Sequence, residues 1–381
     1  MDRRRFLAGV TAAAAATGGA GRVLARQAAE DWRTALAAIA QAPIDAGATP
    51  GLQIAVWRGG QALFSQGAGQ ANLETATPLT SASVMRVGSV TKQFTAAVML
   101  QLQQEGRLSL DDALARYRPD IPRAQDLILR RMLNHTSGLG DYTDRPDRAE
   151  LMQAARADRT TAQNVAEVVA HQPFMAYEPG QGWAYSNSAY VLLGALIEQI
   201  DDRPLGETLK ARLFDPLGLA DTALDDAARV VPNRASGYTP RRGGGFDNAA
   251  YVSMSFPAAA GALRSTCDDL CRWTEALHGG RVLNAGSLDQ MLTPGRLIDG
   301  SRPLNRRGLP RDYGLGLIVT DHPRLGRVAM HDGDIMGFSA IVCRFLDTGL
   351  NAAVAANCDA YNDFEGLLAH LHAAAGGREG G

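Results

Sequence analysis

The chain has 381 residues, 46% hydrophobic and 20% charged, the balance of a globular protein with a sizeable core and not of a disordered one. Its formal net charge of −2 gives no global pull toward nucleic acid or acidic membranes. No apolar run of about eighteen residues occurs in the body of the chain, so no membrane-spanning helix is expected there.

The first 25 residues read as an export signal. Arg3, Arg4 and Arg5 form a basic start, Phe6 and Leu7 follow, and an Ala- and Gly-rich stretch leads to Val23-Leu24-Ala25, small enough at its end for cleavage after Ala25. The Arg-Arg-Arg-Phe-Leu run resembles a twin-arginine signal. Gly18, Gly19 and Gly21 argue against the plainer alternative of a surface helix. The expectation is therefore a periplasmic or secreted protein delivered by export machinery. No Cys sits at the cleavage point, so no stable membrane anchor is expected.

Residues 29–46 have helical periodicity. Leu52 to Trp57 and Ala62 to Ser65 are strand-like and joined through Gly59-Gly60, a hairpin signal. Ser89 opens an apolar helix that stops near Gly106. Residues 110–225 are expected to be mainly helical, broken by loops at 134–147 and 176–186. Arg241 to Gly245 is an exposed loop, and helices follow near 265–277 and 285–292. The pattern then changes to strands at Tyr313 to Thr320, Val328 to Met330, Phe338 to Phe345 and Leu350 to Ala356. A last helix spans about 364–375, and the tail 376–381 is expected to be disordered.

Strands thus lie at both ends of the chain and helices between. This is not the alternation of a doubly wound sheet. It predicts an α+β fold: an antiparallel sheet built from both chain ends and flanked by helices, with a mainly helical region inserted at about 100–250. Residues 26–375 are expected to form a single domain. No repeat of solenoid period is present. Cys267, Cys271, Cys343 and Cys358 match no zinc or disulfide spacing, and Cys267 and Cys271 are expected to pack as small apolar residues.

The chemistry begins with a scarcity. Among 38 basic residues only Lys92 and Lys210 are lysines. Lys92 closes Ser89-Val90-Thr91-Lys92, and positions i and i+3 share a helix face. A Ser hydroxyl needs a base to take its proton. A buried Lys can be that base; Arg cannot, because it stays protonated. Backbone N–H groups at the helix start can face a developing oxyanion. Read plainly, the same four residues are a capped helix with a surface Lys.

Two further pieces are weak alone. Tyr185-Ser186-Asn187 follows the turn-rich Glu178-Pro179-Gly180 and precedes an apolar helix. A Tyr beside a cation can exchange protons, and Asn187 can present its amide to Lys92 and to a substrate carbonyl. His331-Asp332-Gly333 ends a short strand before Asp334, and a strand edge ending in Gly admits a substrate against the backbone.

Together and in this order, Ser-x-x-Lys, Tyr-x-Asn and His-x-Gly resemble the three signatures of the β-lactamase-like serine hydrolases, which include class C β-lactamases, D-alanyl-D-alanine carboxypeptidases, D-aminopeptidases and esterases. Leu133-Asn134-His135-Thr136-Ser137-Gly138, Gly261-Ala262-Leu263-Arg264-Ser265-Thr266 and Tyr313-Gly314-Leu315-Gly316 also resemble family segments. The likeness spans roughly residues 35 to 375. It implies a β-lactamase/transpeptidase-like fold and a Ser89 acyl-enzyme, with Lys92 and Tyr185 sharing the proton. It implies further that Asn187 orients the substrate carbonyl, that His331 stands where other members carry Lys, and that the N–H groups of Ser89 and Asp334, beside Gly333, receive the oxyanion. No metal or cofactor is implied. In this family His135 corresponds to a structural loop residue, and Asp141 and Asp144 read as solvated turn residues. There is no Gly-x-Ser-x-Gly elbow of the α/β-hydrolase kind.

One departure bears on substrate. Class C enzymes carry Lys-Thr-Gly in the last motif, whereas this chain has His331 and Asp332. An acidic residue facing the pocket opposes a substrate carboxylate by about 1–4 kcal/mol. That favours small neutral esters or amides, or amine-bearing D-amino acid derivatives. Alternation along the strand could turn Asp332 away, and Arg264 or another Arg could offset it. The expected function is an ester- or amide-cleaving serine hydrolase. The alternatives are a D,D-carboxypeptidase or β-lactamase, and, in a different class, a non-catalytic binding or sensor module, which the survival of Ser, Lys and Tyr disfavours.

Overall fold

The computed structural model describes residues 32–305 and 307–376. The predicted export segment at 1–25 and the tail beyond 376 lie outside the described residues. In chain order, helix α1 (32–45) precedes β1 (Gly51–Arg58), β2 (Gln61–Asn72), β3 (Thr77–Pro78) and β4 (Met85–Arg86). A 3-10 turn at Gly88–Val90 runs into α2 (Thr91–Gln104). The middle of the chain supplies α3 (Leu129–Leu133), α4 (Arg148–Arg156), α5 (Thr161–Ala170), α6 (Asn187–Asp201), α7 (Leu205–Leu209) and α8 (Asp215–Leu217). Short strands β5 (Ala223–Leu224), β6 (Tyr238–Pro240), β7 (Phe246–Asn248) and β8 (Leu263–Ser265) follow, then α9 (Cys267–His278) and α10 (Ala285–Leu292). The chain closes with β9 (Ile318–His322), β10 (Gly326–Ile335), β11 (Phe338–Phe345), β12 (Leu350–Ala356) and α11 (Phe364–Gly376). No described helix is long and apolar enough to cross a membrane.

The main sheet is seven-stranded and antiparallel, in the order β3-β2-β1-β12-β11-β10-β9. The two ends of the chain meet where β1 pairs with β12, Ile54 opposite Val354, which is the α+β architecture expected from the sequence. Both central strands are buried along nearly their whole length, so each reads as a continuous apolar run covered on two faces. Leu52, Ile54 and Val56 face a layer containing Leu36 and Ala40 of α1 and Leu368 and Leu371 of α11. Ala55, Trp57, Ala353 and Ala355 face the other layer, with α2 and α9. Period-two alternation thus assigns each strand residue to one of two helical layers.

Helix α2 is buried almost all round, and its buried polar residues Thr91, Lys92, Gln93 and Thr95 each make a side-chain hydrogen bond. Phe94 stacks on Trp273 of α9 with ring centroids 4.0 Å apart and meets Phe214 edge-on at 5.9 Å. Backbone-directed bonds fix its start: Thr91 Oγ1 donates to Gly88 O at 2.7 Å and accepts from Leu263 N at 3.0 Å, and Thr95 Oγ1 donates to Ala259 O at 2.8 Å. The turn that carries Ser89 is thereby tied to residues 258–263. All four cysteines are buried free thiols.

Three details differ from the sequence expectation. The stretch 105–128 is mostly turns with one 3-10 segment at Leu114–Arg116; Pro119 and Pro122 deny it helical continuation. The strand expected from Tyr313 starts only at Ile318, because Gly316 passes so close to α2 that a Cβ there would meet Lys92 O at 2.8 Å. The helix expected from Ser89 begins at Thr91, with Ser89 inside the preceding 3-10 turn.

Replacement of Trp273, fully buried and stacked on Phe94, by Ala is expected to cost about 3–5 kcal/mol, read as a lower denaturation midpoint in urea. Because this layer supports α2, the variant should also lose activity at temperatures where the parent is still folded.

Candidate active site

Ser89 and Lys92 emerge from one turn, and the fold brings Tyr185 and Asn187 to them from the start of α6. The Lys92 amine lies 3.0 Å from Ser89 Oγ, 2.8 Å from Asn187 Oδ1 and 2.7 Å from Ala260 O. The last two are obligate acceptors, so they take two N–H groups whatever the charge of Lys92. The remaining direction points at Ser89, filled by a third N–H in the ammonium or by the lone pair in the amine. Lys92 is wholly buried, and burial brings its pKa down to about 7 against the pull of Asp141 and Asp332. The amine also lies over the Tyr185 and Tyr190 rings, 4.6 and 5.4 Å from their centroids.

The Ser89 side chain lies close enough to the Tyr185 phenol to favour its ionised form. Burial first, and the Asp332 and Asp141 carboxylates besides, push its pKa well above the ordinary phenol value, so it is a neutral O–H at physiological pH. Its backbone is held from below. Ser186 N donates to His135 Nδ1 at 3.1 Å, and the Tyr177 hydroxyl accepts from Ala184 N at 3.0 Å while donating to His135 O at 2.9 Å. His135 is fully buried with its ring 4.4 Å from that of Tyr185. Burial lowers its pKa well below the ordinary imidazole value. This neutral, packed ring supports Tyr185 from beneath.

Asn187 is oriented by a residue that sequence reading assigned to solvated turn chemistry. Asp141 Oδ1 does form a turn, accepting from Thr143 N and Oγ1 at 2.9 and 2.8 Å. Its Oδ2 accepts from both the backbone N and the Nδ2 of Asn187, each at 3.0 Å. That contact forces the amide to offer Oδ1 to Lys92. Asp141 lies 46 residues from Asn187, so no local sequence signal tied the two together.

Strand β10 approaches from the sheet. β9 pairs with it only from Gly326 to Met330, so residues 331–335 leave their outer edge unpaired by β9. A Cβ on Gly333 would meet Val87 O at 2.1 Å and Ser89 N at 2.8 Å, and one on Gly88 would meet Asp334 N at 2.8 Å. Only glycines permit this contact, which brings the backbone of residues 333–334 against that of residues 88–89. His331 is buried, with Nδ1 against its neighbour's carbonyl Asp332 O and Nε2 2.7 Å from the Tyr313 hydroxyl. A carbonyl can only accept, so Nδ1 carries the proton and Tyr313 donates to Nε2. Burial holds the His331 pKa down to about 4. It is therefore a neutral, fully bonded ring and not a counterpart to a Lys charge.

These residues border a cavity of 630 Å³ that contains Ser89, Tyr185, Trp183, His331, Asp332 and Asp334. Asp332 and Asp334 are exposed on its wall, which answers the question of where Asp332 points. Arg264, a candidate to offset that charge, instead lies against Asp225 at 3.7 Å. Arg302 on the same wall is engaged by Asp312. Although Asp334 is exposed as a residue, the partial burial of its carboxyl and the neighbouring Asp332 and Asp359 raise its pKa to about 6. Among the described residues no cluster of His, Cys, Asp and Glu could hold a metal ion.

The family model described as Beta-lactamase matches residues 26–377. The chain belongs to the Beta-lactamase family. It is 28% identical to Penicillin-binding protein 4* of Bacillus subtilis over 76% of this chain, although the match spans only 64% of that relative's length. It is 26% identical to Esterase EstB of Burkholderia gladioli, over 82% of this chain and 87% of the esterase. Among solved structures, D-amino acid amidase from Ochrobactrum anthropi SV3 complexed with L-phenylalanine amide superposes with a TM-score of 0.77 at 26% identity, covering 91% of this chain and 99% of that one.

The glycine contact gives a sharp expectation. Gly333→Ala should remain folded by circular dichroism yet lose about a hundredfold or more in turnover, because the added methyl must separate β10 from the Ser89 turn. Retention of parental activity would show that the two backbones need not touch.

Proposed function

We propose that the protein is a serine hydrolase that cleaves small neutral or amine-bearing esters and amides through an acyl-enzyme on Ser89. The observation that carries this reading is the 3.0 Å contact between Ser89 Oγ and a buried Lys92 amine whose pKa is brought down to about 7. Neutral Lys92 takes the Ser89 proton as Oγ attacks the carbonyl carbon. The oxyanion is received by the N–H groups of Ser89 and Asp334. Tyr185, a neutral phenol, donates its proton to the departing alkoxide or amine and regains one from the Lys92 ammonium. Water then attacks the ester carbon by the same relay run in reverse, releasing the acid and restoring Ser89. Asn187 steadies Lys92 and the substrate carbonyl, and His331 keeps Tyr313 and the strand end in place.

The substrate preference rests on the carboxylates of Asp332 and Asp334 at the cavity wall, and the esterase and amidase relatives are in keeping with it. A second reading, cleavage of carboxylate-bearing cell-wall peptides or β-lactams, draws on one feature: Arg311 is exposed on the cavity rim, 5.7 Å from the Trp183 ring. We further propose an exported protein, on the strength of the N-terminal arginines and the Ala25 cleavage pattern.

A short-chain p-nitrophenyl ester and a chromogenic cephalosporin, assayed side by side, separate the readings. Fast ester turnover, negligible cephalosporin turnover and loss of both in Ser89→Ala are expected. Cephalosporin turnover as fast as that of the ester would move the second reading to first place. For the ester, kcat/KM should rise as pH increases through about 7, where Lys92 loses its proton. Asp332 favours the ammonium, so Asp332→Asn should move that rise to lower pH; a shift upward would contradict the assignment of Lys92 as base.

A further inference from the structure

A second cavity, of 310 Å³, lies where β4 and β8 meet the β10–β11 turn, and it shares no lining residue with the catalytic cavity. Its charged lining is Arg86, Arg234, Arg264 and a single acid, Asp225. Asp225 is shared three ways: Arg86 Nε at 2.9 Å, Arg234 Nη2 at 2.9 Å and Arg264 Nη1 at 3.7 Å. The carboxylate side chain is 1% exposed and the three arginines 14, 28 and 17%, so solvent screens this excess positive charge poorly.

The strand register sharpens the imbalance. Arg86 stands directly opposite Arg264 in the β4–β8 pair, an arrangement that like charges make unfavourable. Burial together with the nearby Arg234 and Arg229 lowers the Arg264 pKa below the usual guanidinium value. The Nε atoms of both Arg234 and Arg264 are buried without a hydrogen-bond partner, and an unmade bond on a charged buried donor is costly. Beside them the wall is apolar and aromatic: Met336, Phe338 and the half-exposed Tyr251.

We propose that this cavity binds a small ligand bearing an oxyanion, a carboxylate or a phosphate, held by Arg264 with the charge of Arg234 beside it. Arg234 spends Nη1 on Asp225 and Nη2 on Asp226 O, and Arg264 spends Nη1 on Leu224 O. Arg264 Nη2 is therefore the donor left for the anion, a charge-assisted bond, and the anion supplies the negative charge that one aspartate cannot. A carboxylate source would lay an apolar body on Met336, Phe338 and Tyr251; a compact phosphate would use the arginines alone. The site stands apart from Ser89 and does not depend on the catalytic reading.

The test uses the full chain carrying Ser89→Ala, so that turnover plays no part. Benzoate, inorganic phosphate and, as cationic control, benzylammonium are titrated at constant sodium chloride, with calorimetry and thermal unfolding as readouts. Benzoate or phosphate should bind saturably and raise Tm, and Arg264→Gln should weaken that binding at least about tenfold. Without anion, Arg264→Gln should unfold at or above the parental Tm, since it removes a repulsion. Arg234→Gln serves as a second variant should the first fold poorly. Tighter benzoate assigns a carboxylate ligand, and tighter phosphate a phosphate one. No saturable binding of either anion, or binding unchanged in both variants, would overturn the proposal.

Discussion

The burial of one amine organises this molecule. Taking Lys92 out of water costs its ammonium form the solvation that would keep it protonated, and two fixed acceptors, Asn187 Oδ1 and Ala260 O, hold the nitrogen in register with Ser89. Much of the surrounding structure serves that placement. Thr91 and Thr95 stitch the start of α2 to residues 258–263, Asp141 fixes the Asn187 amide, and the stacked Phe94 and Trp273 back the helix. An Arg at this position would stay charged in the same nest and could not act as the base proposed for Lys92; that proposal gives a reason for Lys in a chain that otherwise uses Arg almost throughout.

The sheet contributes the second constraint. β10 comes so close to the Ser89 turn that side chains are excluded at Gly88 and Gly333. Backbone from two distant parts of the sequence therefore meets at residues 88–89 and 333–334, and in the proposed mechanism the N–H groups there would receive the oxyanion. Preorganised donors of this kind need no rearrangement during reaction. Asp332 and Asp334 line the cavity beside this contact, and His331, neutral and doubly bonded, supplies no opposing charge, which is the basis of the substrate preference proposed above.

Local patterns made much of this legible. The i, i+3 spacing of Ser89 and Lys92 foretold their contact, and β11 and β12 fall on the ranges that periodicity gave. The three motifs meet because the chain ends pair through β1 and β12, which the clustering of strands at both ends anticipated. What stayed hidden was long-range or conformational. Asp141 read as a turn residue, because its tie to Asn187 crosses 46 residues of sequence and leaves no local trace. Sequence alone leaves Arg264 open as one offset to Asp332 among the arginines, yet it lies against Asp225 beside the β4–β8 pairing. Tyr313 read as a strand residue, although the close pass of Gly316 over α2 bends the chain there and frees its hydroxyl for His331.

The central claim is that Lys92 is a neutral amine near physiological pH, and the scarcity of lysine makes it directly measurable. Selective 15N labelling of lysine side chains gives two Nζ signals, from Lys92 and from Lys210 on the surface, with Lys210→Arg identifying which is which. Followed by NMR across the pH range, the Lys92 signal is predicted to titrate with a midpoint near 7. A midpoint near 10 would mean that Lys92 remains an ammonium at the pH of the reaction, and the proton on Ser89 would need another acceptor.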